Sequence, residues 1–150
     1  MNHDLSSLQV LEALADGNIM KANELLGTAY TIRGLVVHGN HLGRTLGFPT
    51  ANLQLPDDQP ILARYGVFAV TAGIGTTRYR GMINVGTRPT IDGKTLTIEV
   101  NLFDFDGDLY GKMLEVSFIS RIRDEKKFSG LDELVQQLRQ DREMALRLLS

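Results

Sequence analysis

Between Tyr30 and Ile122 the chain is a succession of short runs rich in Val, Ile, Thr, Phe and Tyr, broken by clusters of Gly, Pro, Asn and Asp. That rhythm is the strongest constraint on the fold, because β-branched and aromatic runs punctuated by turn residues specify strands. The spacing predicts strands over Thr31–Val37, Val67–Ile74, Tyr79–Val85, Thr95–Phe103 and Leu114–Ile122. The clearest alternation lies in the fourth. Leu96, Ile98, Val100 and Leu102 fall on one face, with Thr97, Glu99 and Asn101 on the other. Asp106-Gly107 beyond it reads as a hairpin signal. Strands at this spacing predict a small antiparallel barrel or sandwich. With no βαβ alternation, a Rossmann fold is not expected.

Helices are predicted at both ends. Leu8, Leu11, Leu14 and Ala15 recur at helical spacing behind Ser6 and Ser7, and Asp16-Gly17-Asn18 interrupts them. A second short helix over Ile19–Leu26 stops at Gly27, a natural C-cap. This pair, residues 1–27, is an extension too small to be a domain, and residues 28–150 form the barrel domain. At the other end Leu131, Leu134, Val135, Leu138, Ala145, Leu148 and Leu149 draw an apolar stripe, with Ser129 and Asp132 as an approximate capping box.

Composition narrows the chemistry. The 150 residues carry 16 Lys and Arg against 18 Asp and Glu, a net charge of -2, without the basic excess of a nucleic-acid binder. There is no Cys, which removes disulfides, thiolate-zinc sites and Cys nucleophiles. No apolar run is long enough to span a bilayer and the N-terminus has no signal-peptide pattern. The expectation is a cytoplasmic monomer with no nucleic-acid or membrane partner.

Three motifs fall short. Gly39 to Thr45 has three residues between its glycines, Arg44 in place of Lys, and Pro49 where a P-loop needs a helix. A Gly-rich turn with a cation can still approach phosphates through backbone N–H groups. His38 and His41 lack a third ligand for zinc. Asp104 to Asp108 with Glu115 lacks the Gly and flanking helices of a calcium loop.

The segment Gly43 to Leu53 is the most specific. Gly47-Phe48-Pro49-Thr50-Ala51-Asn52 matches in full the signature of the riboflavin kinase family, which the chain resembles. Asn84 to Thr90 resembles the family's next block. Ile98-Glu99-Val100 followed by Asp104 to Gly111 resembles the block that carries its catalytic Glu. Arg121 to Phe128 resembles its flavin-side segment. The blocks stand in the family's order from about Tyr30 to the C-terminus. Asn101 stands where relatives often have His. The resemblance implies a six-stranded Greek-key barrel with a C-terminal helix, and transfer of the ATP γ-phosphate to the ribityl 5′-hydroxyl of riboflavin, giving FMN. It implies Glu99 as the base and Thr50 and Asn52 as holders of Mg²⁺ and phosphates. It puts Gly39, Gly43, Arg44 and Tyr110 on ATP, and Arg123, Lys126 and Phe128 on the flavin.

The residues suit those roles. Thr50 and Asn52 offer neutral oxygens on one face of an extended segment that Pro49 stiffens. Mg²⁺ takes oxygen ligands and keeps several waters. Glu99, opposite the apolar face of its strand, can accept or orient a hydroxyl proton. In bacteria this family is usually the C-terminal half of a bifunctional enzyme. Leu5 to Gly27 resembles the end of the adenylyltransferase half and its linker, keeping only Ser6-Ser7 of the motif that closes that half, so FAD synthesis by this chain is not expected. Two other classes of protein would use such a barrel. One is a flavin- or nucleotide-binding sensor that has lost catalysis; the other is an interaction module docking a partner on the helical hairpin.

Overall fold

The computed structural model describes residues 7–37, 50–105 and 107–150. Among them, six strands close an antiparallel barrel in the order β1-β2-β5-β4-β3-β6. The strands are β1 (Tyr30–Val37), β2 (Ala51–Gln54), β3 (Gly66–Ile74), β4 (Thr77–Thr90), β5 (Gly93–Leu102) and β6 (Met113–Arg123). Two helices precede the barrel, α1 (Leu8–Ala15) and α2 (Ile19–Leu26), and α3 (Leu131–Leu148) follows it.

Alternation decides what fills the barrel. Ile32, Phe68, Val70, Ile83, Val85, Ile98, Val100, Leu114, Val116 and Phe118 point inward and are buried. Phe118 lies at the centre, its ring 5.2 Å from that of Tyr30 and 5.0 Å from that of Phe68. Val10, Leu14, Ile19 and Leu26 of the helical hairpin join this same core, so the hairpin packs on the barrel. Polar bonds secure it. Asn23 of α2 donates from Nδ2 to the Phe118 carbonyl (2.8 Å) and accepts the Tyr30 N–H (2.8 Å). The Arg64 N–H donates to the Leu14 carbonyl (2.8 Å). As expected, Gly27 ends α2 in the left-handed region, with φ 75°. Ser7 stands at the N-cap of α1 without a side-chain capping bond.

A smaller cluster lies outside the barrel wall. Ala69, Met82 and Phe103 on its outer face meet Ala145, with Val135, Leu138, Leu146, Leu148 and Leu149 around them. Helix α3 therefore straps the outer surface of β3 and β4. Leu131, placed in its apolar stripe by periodicity, is exposed. Gly130 is the N-cap and makes no side-chain bond; Ser129 Oγ instead donates to Glu133 Oε2 (2.9 Å), so the Ser129–Asp132 capping box does not form.

Three further expectations change. Asp106 lies outside the described residues, and no hairpin joins the strands that flank the Asp106-Gly107 signal: β5 pairs with β2 and β4, while β6 pairs with β1 and β3. Residues 103–112 are a crossover, tied to β1 by reciprocal bonds from Val36 N–H to the Lys112 carbonyl and from Gly111 N–H to the Val36 carbonyl, each 2.9 Å. A local turn signal says nothing about which distant strand offers the better ladder. The stretch between the strands predicted over Tyr79–Val85 and Thr95–Phe103 is not a loop but a paired ribbon extending to Thr90↔Gly93. It projects past the end of β3, whose pairing with β4 stops at Gly66↔Val85, leaving Pro89 where no central ladder needs its missing N–H. Leu96 lies on this ribbon and is exposed, although it alternates in phase with Ile98 and Val100.

Candidate functional site

The inward residues fix what faces outward. Leu53 is in the core, so Asn52 beside it on β2 faces out; Thr50 lies just before β2 and is half-buried. Ile83, Val85, Ile98 and Val100 are buried, so Asn84 and Glu99 also face out. Register then sets these residues side by side. Asn52 pairs with Glu99, Glu99 with Asn84, Asn84 with Val67, and Val67 with Arg123. One row thus crosses five strands on the outer face, from the amide of Asn52 through the carboxylate of Glu99 to the guanidinium of Arg123. Residues directly opposite in antiparallel pairs bring their side chains together.

The carboxylate is not in an ordinary setting. Burial pushes the Glu99 carboxyl above its usual range, and the positive charge of Arg88 on the β4–β5 ribbon partly offsets this. The Asn52–Glu99 pair is also where two strands part. The β2–β5 ladder consists of Ala51↔Val100 and Asn52↔Glu99. Beyond it a cleft of about 650 Å³ opens, lined by Asn52, Gln54, Leu55, Arg88, Thr97 and Ile98 among others. A second groove of about 670 Å³, between β1 and residues 55–62, includes Tyr30, Arg33 and Glu115 and no member of the row.

The flavin-side residues named from sequence lie at the far end of the row. Arg123 is turned toward α3. Its Nε donates to Asp141 Oδ1 (2.9 Å), its Nη2 to Asp141 Oδ2 (2.8 Å) and its Nη1 to the Asp124 carbonyl (2.9 Å). The Phe128 ring lies between two cations, 5.9 Å from Arg123 Cζ and 5.7 Å from Lys126 Nζ. Lys126 also pairs with Glu133 at 3.8 Å. Tyr110 belongs to the 103–112 crossover, where its N–H donates to Asp108 Oδ1 (2.9 Å) beside the end of β1. Gly39, Gly43 and Arg44 lie outside the described residues.

Four features escape a reading of local sequence. Asn84 faces Glu99 only through strand register, and Arg88, which pairs with Thr95 further along the ribbon, acts on Glu99 through its charge. Glu125 lies on Gly86, its carboxylate filling the space that a Cβ there would need. Asp141 is the buried partner of Arg123, 1% exposed on an otherwise polar stretch of helix. Arg121 closes one end of the barrel, stacked 5.2 Å from the Phe68 ring centroid and bonded to the carbonyls of Arg64 and Tyr65. Among the described residues no group of three or more His, Asp or Glu could hold a metal.

Fold and site together define a class: a small closed barrel with a polar, carboxylate-centred row on its outer wall and a helix strapped beside it. The chain belongs to the riboflavin kinase family, whose model matches residues 26–149. It is 42% identical over 149 residues to a bifunctional riboflavin kinase/FMN adenylyltransferase of Bacillus subtilis, covering 97% of this chain and 47% of that protein. The chain spans about half the length of the curated relatives it matches. In solved structures it is similar to a riboflavin kinase from Trypanosoma brucei, with TM-score 0.56 and 27% identity over 79% of this chain and 78% of that one. It is also similar to a protein described as a macrolide-efflux protein from Streptococcus pneumoniae, with TM-score 0.86 and 45% identity over 95% of this chain and 46% of that one. Among the described residues no helix is long and apolar enough to cross a membrane.

Proposed function

We propose that the chain transfers the γ-phosphoryl group of ATP to the ribityl 5′-hydroxyl of riboflavin, giving FMN and ADP. The observation that supports this reading best is the Asn52–Glu99 pair, of which Asn52 lines the adjoining cleft, in a chain of the riboflavin kinase family. Phosphoryl transfer depends on positioning and on neutralising charge, with one group to accept or orient the hydroxyl proton. Glu99 has that role. Burial raises its pKa, which makes it a better proton acceptor than an exposed Glu, and the charge of Arg88 partly offsets that rise.

Thr50 and Asn52 supply neutral oxygens on the same face as Glu99. That donor set is too sparse to be a protein-built metal cage and suits Mg²⁺ carried in on the nucleotide phosphates with part of its water shell. Bound there, Mg²⁺ would neutralise charge on the transferring phosphoryl group. Gly39, Gly43 and Arg44 approach the phosphates, and Tyr110 packs near the nucleotide. On the acceptor side Lys126 and Phe128 face the flavin, a cation for polar edges and a ring for packing. Arg123 stands behind them.

The division between donor and acceptor sides is testable. Thr50→Ala should raise the KM for Mg-ATP more than that for riboflavin. Equal loss of both would remove Thr50 from the metal–phosphate role.

A further inference from the structure

Residues 124–129 hang between the end of β6 and the first turn of α3, and their anchors are unusual. At one end Arg123 and Asp141 form a bidentate ion pair, with side chains 17% and 2% exposed. Gln137 Nε2 adds a third bond to Asp141 Oδ1 (2.9 Å). All three guanidinium nitrogens of Arg123 donate within the protein, one of them to the carbonyl of Asp124, the first residue of the segment. Phe128, near the segment's other end, lies over the same guanidinium. Between them Glu125 reaches back across the wall to rest on Gly86. Gly86 is two residues from Asn84 and pairs with Thr97, two residues from Glu99. The segment therefore borders the reactive carboxylate, and its position is set from behind by one buried pair.

We propose that Arg123 and Asp141 are positioning residues: a latch between β6 and α3 that holds the 124–128 segment, and Glu125 with it, against the Glu99 face so that the acceptor is confined beside the base. The inference rests on the phosphotransfer reading above. The alternative for a buried ion pair is a purely structural role, and the two make different predictions. Breaking such a pair from one side is destabilising, whereas replacing both members with apolar residues of similar size is often neutral or better. A structural pair is thus repaired by the apolar replacement. A positioning pair is not, because the bond to the Asp124 carbonyl and the stacking on Phe128 go with the guanidinium.

The test is steady-state kinetics of Asp141→Asn, of the combined Arg123→Met and Asp141→Leu variant, and of Gly86→Ala, with melting temperatures alongside. Asp141→Asn should lose stability and raise the riboflavin KM on the order of ten- to a hundredfold, with the Mg-ATP KM within about twofold of the parent, since small misplacement of a reactant costs that much. The combined variant should recover stability but keep the raised riboflavin KM. If it recovers both, the latch is only structural and the proposal is overturned. Gly86→Ala pushes on Glu125 from the opposite side and leaves the buried pair intact. It should show the same raised riboflavin KM at near-parental stability, and it decides the matter if neither latch variant folds; an unchanged KM there overturns the proposal. Trypsin reads the latch without any turnover. Cleavage after Lys126 or Lys127 should accelerate in the combined variant while the barrel resists, and unchanged cleavage overturns the proposal. A parent chain that makes no FMN while this cleavage accelerates would refute the phosphotransfer reading and leave the latch standing.

Discussion

Glu99 is held in tension between two requirements. A base must be ionised at working pH, yet burial disfavours the charged form and raises its pKa. The sign for stability follows. The folded protein binds the Glu99 proton more tightly than the unfolded chain does. Glu99 therefore favours the fold below the ordinary Glu range, and that contribution is lost as pH rises through its raised value. Above that raised value the ionised side chain is a net cost. Glu99→Gln should accordingly raise the melting temperature at pH 7, with the gain shrinking as pH falls through the raised value and gone below the usual carboxylate range. The same substitution should lower kcat by roughly 10²–10⁴-fold, the usual worth of a general base. Arg88 supplies the counterweight, so Arg88→Gln should move the acidic limb of the kcat profile to higher pH; a shift to lower pH would contradict the pairing. Both residues were in view from sequence, Glu99 through its alternation and Arg88 inside a quoted block. Their link lies between strands, because the charge of Arg88, paired with Thr95 on the β4–β5 ribbon, acts on Glu99 further along β5.

At the scale of elements, the local pattern told most where a segment's fate is decided locally. The left-handed cap at Gly27, the outward face of Asn52 beside core Leu53, and the alternation of β5 all follow from neighbouring residues. What stayed hidden was partner choice. The Asn84–Lys94 ribbon is polar because it leaves the barrel, and polarity reads as loop. Asp141 looks like another solvated helix carboxylate until β6 is laid against it. The N-terminal hairpin depends on a similar distant partner, since Asn23 bonds both β6 and the first residue of β1. Asn23→Ala would leave two partly buried backbone groups without that partner. It should cost about 1–3 kcal/mol in urea unfolding, against a few tenths for an exposed Asn.

For the whole molecule, the fold separates stability from chemistry. The inward faces, with Phe118, Phe68 and Tyr30 at the centre, hold the barrel closed. The outward row from Asn52 to Arg123 is free to be polar because α3 covers only the adjoining patch around Ala69 and Met82. The absence of Cys leaves oxygen and nitrogen groups for the chemistry. In the proposed function the site combines an amide, a hydroxyl, a carboxylate and nearby cations, with the remaining charge neutralised by Mg²⁺ that would arrive with the nucleotide, on a closed barrel whose kinase-family match covers residues 26–149.

The most direct measurement is product analysis. The chain and its Glu99→Gln variant are incubated with riboflavin, ATP and Mg²⁺, and riboflavin, FMN and FAD are separated by chromatography. The parent should accumulate FMN and no FAD, and the variant should form FMN at least a hundredfold more slowly while still binding riboflavin, the loss expected for a missing base. Absence of FMN from the folded parent, or a near-normal rate in the variant, would contradict the account.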